Sequence, residues 1–270
     1  MKLPETFIPE KNTDKKIERW LKKEEQKKTE VFDYSKQYIL IKNIRCTDAD
    51  NCIIEQYGEL LVAKEFTFPK NSIKGTINTY DAIKMMEKRG MFLPSLALTC
   101  NILAALYENR NNEAADKLLK GYFNRKDDYE FVAQNTVVDW EKNKVIHYPR
   151  DDYFLNGYSG KNVNQNRKET VRALNPKGFR NLDLEEAVCV SPSFEDYIKN
   201  STGLQNPGIL TEISRYYESR LYLWVNDMAK NDGNIGTTWI DHGTESLNIN
   251  LFNYLSVGGI ARGVKKPDKR

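Results

Sequence analysis

The sequence predicts an α+β fold in which short strands flank a pair of helices, and three observations support this prediction. Helix signals are densest early, over residues 76–107. The last fifty residues are typical of short strands separated by Gly and Asn turns. Between them, residues 150–183 are irregular, as in a functional or loosely ordered loop. Because helices come early and strands late, a doubly wound parallel sheet is not expected.

Residues 1–35 predict a charged helical extension. Thr13 or Asp14 would cap a helix over residues 13–30, in which Glu18 and Lys22 are spaced as an i,i+4 ion pair. The apolar side of this helix is small, so we expect it to pack lightly or to extend from the body. Residues 36–270 would then form one folded domain.

Two strands are predicted after the extension, over residues 38–44 and 53–68. Both segments are rich in β-branched and aromatic residues. Gly58 interrupts the second segment, and we expect the strand to bend there.

The helix pair of residues 76–107 has clear start and stop signals. Thr79 is placed to cap the first helix, and Gly90 lies where a left-handed C-terminal cap would fall. Pro94 then forces an extended step, after which Ser95 can cap the second helix. The apolar stripes of both helices, with Ile83 typical of the first, predict that the pair forms core.

The remaining elements are a third helix, a hairpin, further short helices and several late strands. Residues 113–123 predict the third helix, and the hairpin follows as two strands joined by the polar sequence EKNK at 141–144. The other expected elements are helices at 183–189, 193–200 and 209–220, and strands in RLYLWVND, GTTWID, SLNINLFNYL and IARGVKK.

Composition excludes several classes of protein. The 41 basic and 38 acidic residues leave a net charge of +3, so no strong field points to nucleic acid. No apolar run approaches the roughly 18 residues of a membrane span, and the first residues lack the apolar stretch of a signal peptide. We therefore expect cytoplasmic synthesis, with virion association or surface display left open.

Neither a metal nor a cofactor is expected. With four Cys and two His, a zinc site is not indicated, and free thiols are a simpler interpretation than a disulfide between Cys46 and Cys52. The acidic clusters at 48–51 and 125–128 lack the spacing of a calcium loop. The Gly-rich stretches at 233–236 and 258–263 do not open a helix, as a phosphate-binding loop must.

The two histidines offer the only candidates for catalysis. His147 lies in VIHYP, and His242 follows Asp241 directly; Ser246 or Cys100 would be the nucleophile of a hydrolase or transferase. Against this, neighbours on a strand face opposite ways, so Asp241 is poorly placed to orient His242. A packed or solvated histidine is the simpler interpretation of both.

Residues 222–254 combine large aromatic rings with many Asn and Asp residues. Binding surfaces use this composition, because rings bring contact area at a small entropy cost and Asn both donates and accepts hydrogen bonds. The alternative is an aromatic core with Asn turns, which would hold Trp224 and Trp239 at least in part.

Two segments resemble one family. Residues 76–97, TINTYDAIKMMEKRGMFLPSLA, resemble the first helix and following step of C-type-lectin-like and formylglycine-generating-enzyme-like domains. Residues 248–266, NINLFNYLSVGGIARGVKK, resemble the closing segment of the variable proteins of diversity-generating retroelements. The two matches frame residues 60–266.

The resemblance implies a C-type-lectin-like fold over residues 36–270, with short strands, two flanking helices and long loop insertions. It also implies a non-enzymatic role, in which a diversified face within 221–259 binds a protein or cell-surface ligand. The enzyme branch of the fold is disfavoured, because its two active-site Cys lie near the C-terminal end, whereas the last Cys here is Cys189. The expected ligand-binding residues are Tyr222, Asn226, Asp227, Asp241, His242, Asn250, Phe252, Asn253, Tyr254 and Ser256.

Overall fold

The computed structural model describes residues 28–67, 79–123, 132–139, 144–148, 171–172, 182–183, 192–224, 235–242, 246–253 and 260–267. Over these residues the fold is mixed α/β, with two sheets and five helices. The expected helix at 13–30 lies almost wholly outside the described residues, as do most of the irregular stretch 150–183 and the helix expected at 183–189.

The smaller sheet has four antiparallel strands in the order β1-β2-β3-β11. They are β1 (Glu30–Asp33), β2 (Tyr38–Thr47), β3 (Ile53–Ala63) and β11 (Val264–Lys265). Because β1 pairs with β2, Glu30–Asp33, which belong to the expected extension 1–35, lie in this sheet. The strand β3 passes through Gly58, and the left-handed residues in this hairpin are Asn43 of β2, with φ 56°, and Asn51 of the connecting turn, with φ 62°.

The predicted helix pair is confirmed as α1 (Thr79–Glu87) and α2 (Leu96–Glu108). Ser95 caps α2, because its Oγ accepts from Leu98 N at 3.0 Å. Gly90 has φ 67° and ends the turn after α1, where Met91 N donates to Met86 O at 3.0 Å. The expected cap at Thr79 is wrong, since this residue begins α1 and its buried hydroxyl bonds no described residue.

Three shorter helices pack around α2, which is buried along most of its length. They are α3 (Glu113–Phe123), α4 (Pro192–Thr202) and α5 (Gly208–Tyr216). Asn112 caps α3 through a bond from Ala114 N to its Oδ1, at 3.0 Å. All three helices were predicted, and α3 has the predicted bounds, 113–123.

The larger sheet has seven strands in the order β6-β5-β4-β9-β10-β8-β7. They are β4 (Val132–Asp139), β5 (Lys144–His147), β6 (Val171–Arg172), β7 (Leu182–Asp183), β8 (Arg220–Trp224), β9 (Ile235–His242) and β10 (Ser246–Asn253). The strands β4 and β5 form the predicted hairpin. All pairs are antiparallel except β8 and β10, which are parallel. Along the chain β9 follows β8, and β10 then lies between these two strands in the sheet.

Residues 260–264 connect the two sheets. Ile260 bridges to Val132 of β4, and four residues later Val264 pairs with Val62 of β3. Gly263 lies between these contacts, where a Cβ atom would be 2.5 Å from Met86 Sδ and 2.7 Å from Met91 Sδ, so any other residue would displace these Met side chains. The C-terminal segment therefore holds the two sheets and α1 together.

Candidate functional site

The predicted binding residues fall on three adjacent strands in the larger sheet, β8, β10 and β9. Tyr222 of β8 pairs with Asn248 of β10, which pairs with Asp241 of β9. Residues paired across neighbouring strands occupy the same face of a sheet. These three residues therefore form a continuous row across strands that are separated in the sequence by up to 26 positions, counted from Tyr222 to Asn248.

A second row of the same kind lies two residues further along each strand. Trp224 pairs with Asn250, and Asn250 pairs with Trp239. Because strand residues alternate with a period of two, this row shares a face with the row of Tyr222. We call the six residues of the two rows the polar-aromatic face: Tyr222, Asn248, Asp241, Trp224, Asn250 and Trp239.

The rows next to them belong to the core. Leu221, Ile240 and Ile249 are 2%, 1% and 0% exposed and lie in the main hydrophobic cluster. Each is a chain neighbour of a residue in the polar-aromatic face. These three residues thus anchor the sheet to the core, and the register places the six residues of the polar-aromatic face on the opposite face of the three strands.

The structure brings together some of the expected binding residues and separates others. Asp241 and His242 fall on alternate rows, and His242 pairs with Leu247, in the row of the buried Leu221. Asp241 and His242 therefore lie on opposite faces of β9. Beyond Asn250 the register shifts, so that Asn253 pairs with the buried Thr237.

The other expected binding residues are less fully described. Phe252 lies in β10 within the irregular part of its pairing. Asn226, Asp227, Tyr254 and Ser256 lie outside the described residues.

His147, the first catalytic candidate, is buried and bonded through both ring nitrogens. Nε2 lies 2.9 Å from the carbonyl oxygen of Asn200, which only accepts, so Nε2 carries the proton. Nδ1 then accepts from Thr136 Oγ1 at 3.0 Å, and that hydroxyl accepts in turn from Leu96 N at 2.8 Å. Burial lowers the pKa of His147 to about 4, so the ring is neutral at physiological pH. With both nitrogens occupied, His147 links β5, β4, α2 and α4.

His147 belongs to a larger buried polar cluster, which we call the polar seam: Glu55, Ser95, Thr99, Gln134, Thr136 and His147. Glu55 of β3 accepts from Ser95 Oγ and, at 2.9 Å, from Tyr57 Oη. Burial raises the pKa of Glu55 to about 7, although both hydrogen bonds act in the opposite direction. The seam thus carries an acid, Glu55, whose pKa is raised to about 7, and a base, His147, whose pKa is lowered to about 4.

Thr99 and Gln134 carry the seam from α2 to β4. The Thr99 hydroxyl donates to Gln134 Oε1 and lies 3.0 Å from Ser95 O, while Gln134 Nε2 donates to Val132 O at 3.1 Å. Each group has a partner, as the burial of polar groups requires. Glu55 was not among the residues predicted from the sequence, although one signal was present: it lies two residues before Tyr57, on the same face of β3.

The described residues contain no group of three or more His, Cys, Asp or Glu side chains that could hold a metal ion. Cys46 and Cys100 are free, buried thiols, and burial raises the pKa of both. Cys52 is also free, and it is exposed. The loop that Cys46 and Cys52 flank is closed by Asp48, whose Oδ1 accepts from Cys52 N at 2.7 Å.

Among the described helices, none is both long and apolar enough to cross a membrane. Comparison of the chain with protein-family models, with curated proteins and with solved structures finds no match.

Proposed function

We propose that the chain is a non-enzymatic ligand-binding protein that displays a diversified surface on a C-type-lectin-like scaffold. The ligand would be a protein or a cell-surface molecule. The observation that supports this most strongly is the pairing of β8, β10 and β9, because it gathers aromatic, amide and acidic residues into two adjacent rows.

A buried row next to the polar-aromatic face would suit a surface that changes in sequence while the fold persists. Leu221, Ile240 and Ile249 are buried and supply the packing that a stable sheet needs. The positions next to them lie on the other face of the sheet, as the register of the three strands requires. A diversified protein requires this separation, since core substitutions commonly cost 2–5 kcal/mol.

The composition of the polar-aromatic face favours a protein ligand. Tyr and Trp side chains dominate protein recognition because they bring large contact areas with few rotatable bonds. Asn248 and Asn250 add amides that adapt to either donors or acceptors. The expected residues at 226, 227, 254 and 256, which follow β8 and β10 in the chain, would extend this surface.

Deep sequencing of the 3′ end of the gene across a population of its source tests the proposal. We expect substitutions to be confined to codons between about 221 and 259, to trace to adenines and to spare Leu221, Ile240 and Ile249. Residues 76–107 of the same reads are the internal control, and they should be invariant. A flat profile across both regions would remove the diversified-binder proposal.

Two displayed libraries test whether the polar-aromatic face tolerates substitution without loss of folding. One library randomises Tyr222, Asp241, Asn248 and Asn250; a matched library randomises four buried positions of the same strands, Leu221, Thr237, Ile240 and Ile249. We expect most members of the first library to fold, as judged by protease resistance, and few members of the second. Equal losses in the two libraries would show that the polar-aromatic face is structural.

The alternative, a hydrolase or transferase, stays a prediction for His242. His147 does not serve it in this conformation, because both ring nitrogens already have hydrogen-bond partners. Replacing His242 with Ala should leave ligand binding intact if binding is the function and the histidine is peripheral. Loss of a measured turnover with unchanged binding would favour the enzyme instead.

A further inference from the structure

Helices α2, α3 and α5 end close together, and aromatic side chains join their ends. Tyr107 packs edge to face against Tyr216, with ring centroids 5.8 Å apart, and Tyr216 packs in the same way against Tyr217 at 5.0 Å. Tyr217 then stacks on Phe123, with centroids 4.7 Å apart. Such contacts fix the orientation of each ring. The four rings therefore form a continuous strip across three helix ends.

Arg110, just after the end of α2, lies against this strip. Its guanidinium carbon is 4.1 Å from the centroid of Tyr107 and 5.4 Å from that of Tyr216. Nη1 donates to the carbonyl oxygen of Tyr107 at 2.8 Å, which holds the guanidinium in place. Nε and Nη2 bond no described residue, and neither is a buried atom. These two N–H groups form the fork that binds a carboxylate through two parallel bonds, and here the fork faces solvent.

Of the carboxylates in this region, one is already paired and another is not. Asp116 accepts from Tyr217 Oη at 3.1 Å and pairs with Lys120 Nζ at 2.5 Å. Glu212 lies one turn before Tyr216 on α5, so the two side chains share a face of the helix. Glu212 is exposed and forms no ion pair within the described residues. The same surface therefore presents an unpaired cation and an unpaired anion.

We propose that two copies of the chain associate through this surface, which we call the tyrosine patch: Tyr107, Arg110, Glu212, Tyr216 and Tyr217. Arg110 of each copy would bind Glu212 of the other across a twofold axis. In a twofold contact each pair forms twice, so a surface that carries both charges is complementary to itself. A partner of a single charge would leave either Arg110 or Glu212 facing a like charge.

The aromatic part of the tyrosine patch favours the same contact. Tyr216 is 51% exposed, although its ring is held by Tyr107 and Tyr217. Tyr and Arg are among the residues that contribute most to binding at protein interfaces, and an ordered ring loses little entropy on association. The net charge of +3 adds little repulsion between copies.

This surface is separate from the polar-aromatic face, because it is built from helices α2 and α5 and the residues that follow them, whereas the polar-aromatic face is built from strands of the larger sheet. Association of two copies does not depend on ligand binding. The two proposals therefore stand or fall independently.

Sedimentation velocity of the whole chain from about 1 to 100 μM tests the association. We expect the mass to rise with concentration from that of one chain toward that of two. Tyr216→Ala should weaken association at least about tenfold, and the exposure of this ring should let the variant fold, as circular dichroism would check. The mass of one chain at every concentration, or unchanged association of Tyr216→Ala, would overturn the proposal.

Charge reversal tests the pairing of Arg110 with Glu212. Arg110→Glu and Glu212→Arg should each weaken association at least about tenfold, because each places like charges opposite one another twice. Lys88→Glu is the matched control: it makes the same charge change at an exposed position beside α1, outside the tyrosine patch, and should have little effect.

An equal mixture of the Arg110→Glu and Glu212→Arg variants should associate as the native chain does, since every Glu then meets an Arg. A variant that failed to fold would not be rescued in this way. Equal losses in Arg110→Glu and Lys88→Glu, or no recovery in the mixture, would show that Arg110 and Glu212 do not pair between copies.

Discussion

Helix α2 packs against an apolar cluster along one part of its length and against a hydrogen-bonded polar cluster at its N-terminal turn. Toward the smaller sheet, Leu103 and Leu106 belong to one apolar cluster with Ile39 and Ile41 of β2. At its N-terminal turn, α2 instead meets the polar seam, in which hydrogen bonds run from Glu55 through Ser95 and Thr99 to β4. The first environment depends on volume and shape, and the second depends on matching donors to acceptors.

This difference teaches how the two sheets are held in position relative to α2. Apolar contacts are non-directional, so the cluster around Leu103 tolerates small shifts of α2 against β2. Hydrogen bonds in a buried network have fixed lengths and angles, and each unpaired group is costly. The seam therefore sets the position of α2 along the sheets, while the apolar layer supplies most of the stabilising free energy.

The largest expected effect lies in the apolar layer. Leu103→Ala should lower the free energy of unfolding by about 2–5 kcal/mol, because the residue is fully buried and its loss leaves a cavity. Urea unfolding, followed by circular dichroism at pH 5 and pH 8, measures it. The loss should be the same at both pH values, and Leu103→Met should cost less than about 1.5 kcal/mol. A loss that changed with pH would break the comparison.

A second prediction concerns the seam and its dependence on pH. The pKa of Glu55 is raised from 4.5 to about 7, so its contribution to stability is fully present below pH 4.5 and is lost as the pH rises to 7. The pKa of His147 is lowered from 6.5 to about 4, so its contribution is present above pH 6.5 and is lost as the pH falls to 4. Each change amounts to roughly 3 kcal/mol, and in the native chain the two offset each other.

Single substitutions should therefore expose opposite slopes. Glu55→Gln leaves the contribution of His147, so stability should rise with pH between about 4 and 6.5. His147→Gln leaves that of Glu55, so stability should fall between about 4.5 and 7. Urea unfolding at pH 4.5, 5.5, 6.5 and 7.5 measures both slopes. Slopes of the same sign in the two variants would contradict the assignment.

The smallest of the three effects is that of the hydroxyl at the start of α2. Ser95→Ala removes the cap on Leu98 N and one hydrogen bond to Glu55, and should cost about 1–2 kcal/mol. The pKa of Glu55 should rise further, because the lost bond favoured the charged form. Ser35→Ala is the control, since Ser35 is exposed; we expect it to cost within about 0.5 kcal/mol. Equal costs at the two positions would remove the distinction between buried and exposed hydroxyls.

Local pattern determined much of the fold. The helices α1, α2 and α3, the caps at Ser95 and Gly90 and the hairpin of β4 and β5 all follow from spacings within about a dozen residues. The strand segments of the C-terminal part were also predicted from composition. These features are readable because helix and strand periods and cap preferences act between near neighbours.

Only the tertiary structure decided which strands are neighbours and which charges are buried. The pairing of β10 with both β8 and β9 created the polar-aromatic face and separated Asp241 from His242. Glu55 meets Ser95 across 40 positions, and Arg262 meets Ala63 across 199. Burial of these groups depends on partners that long-range contacts bring together, and such contacts cannot be predicted from a local sequence pattern.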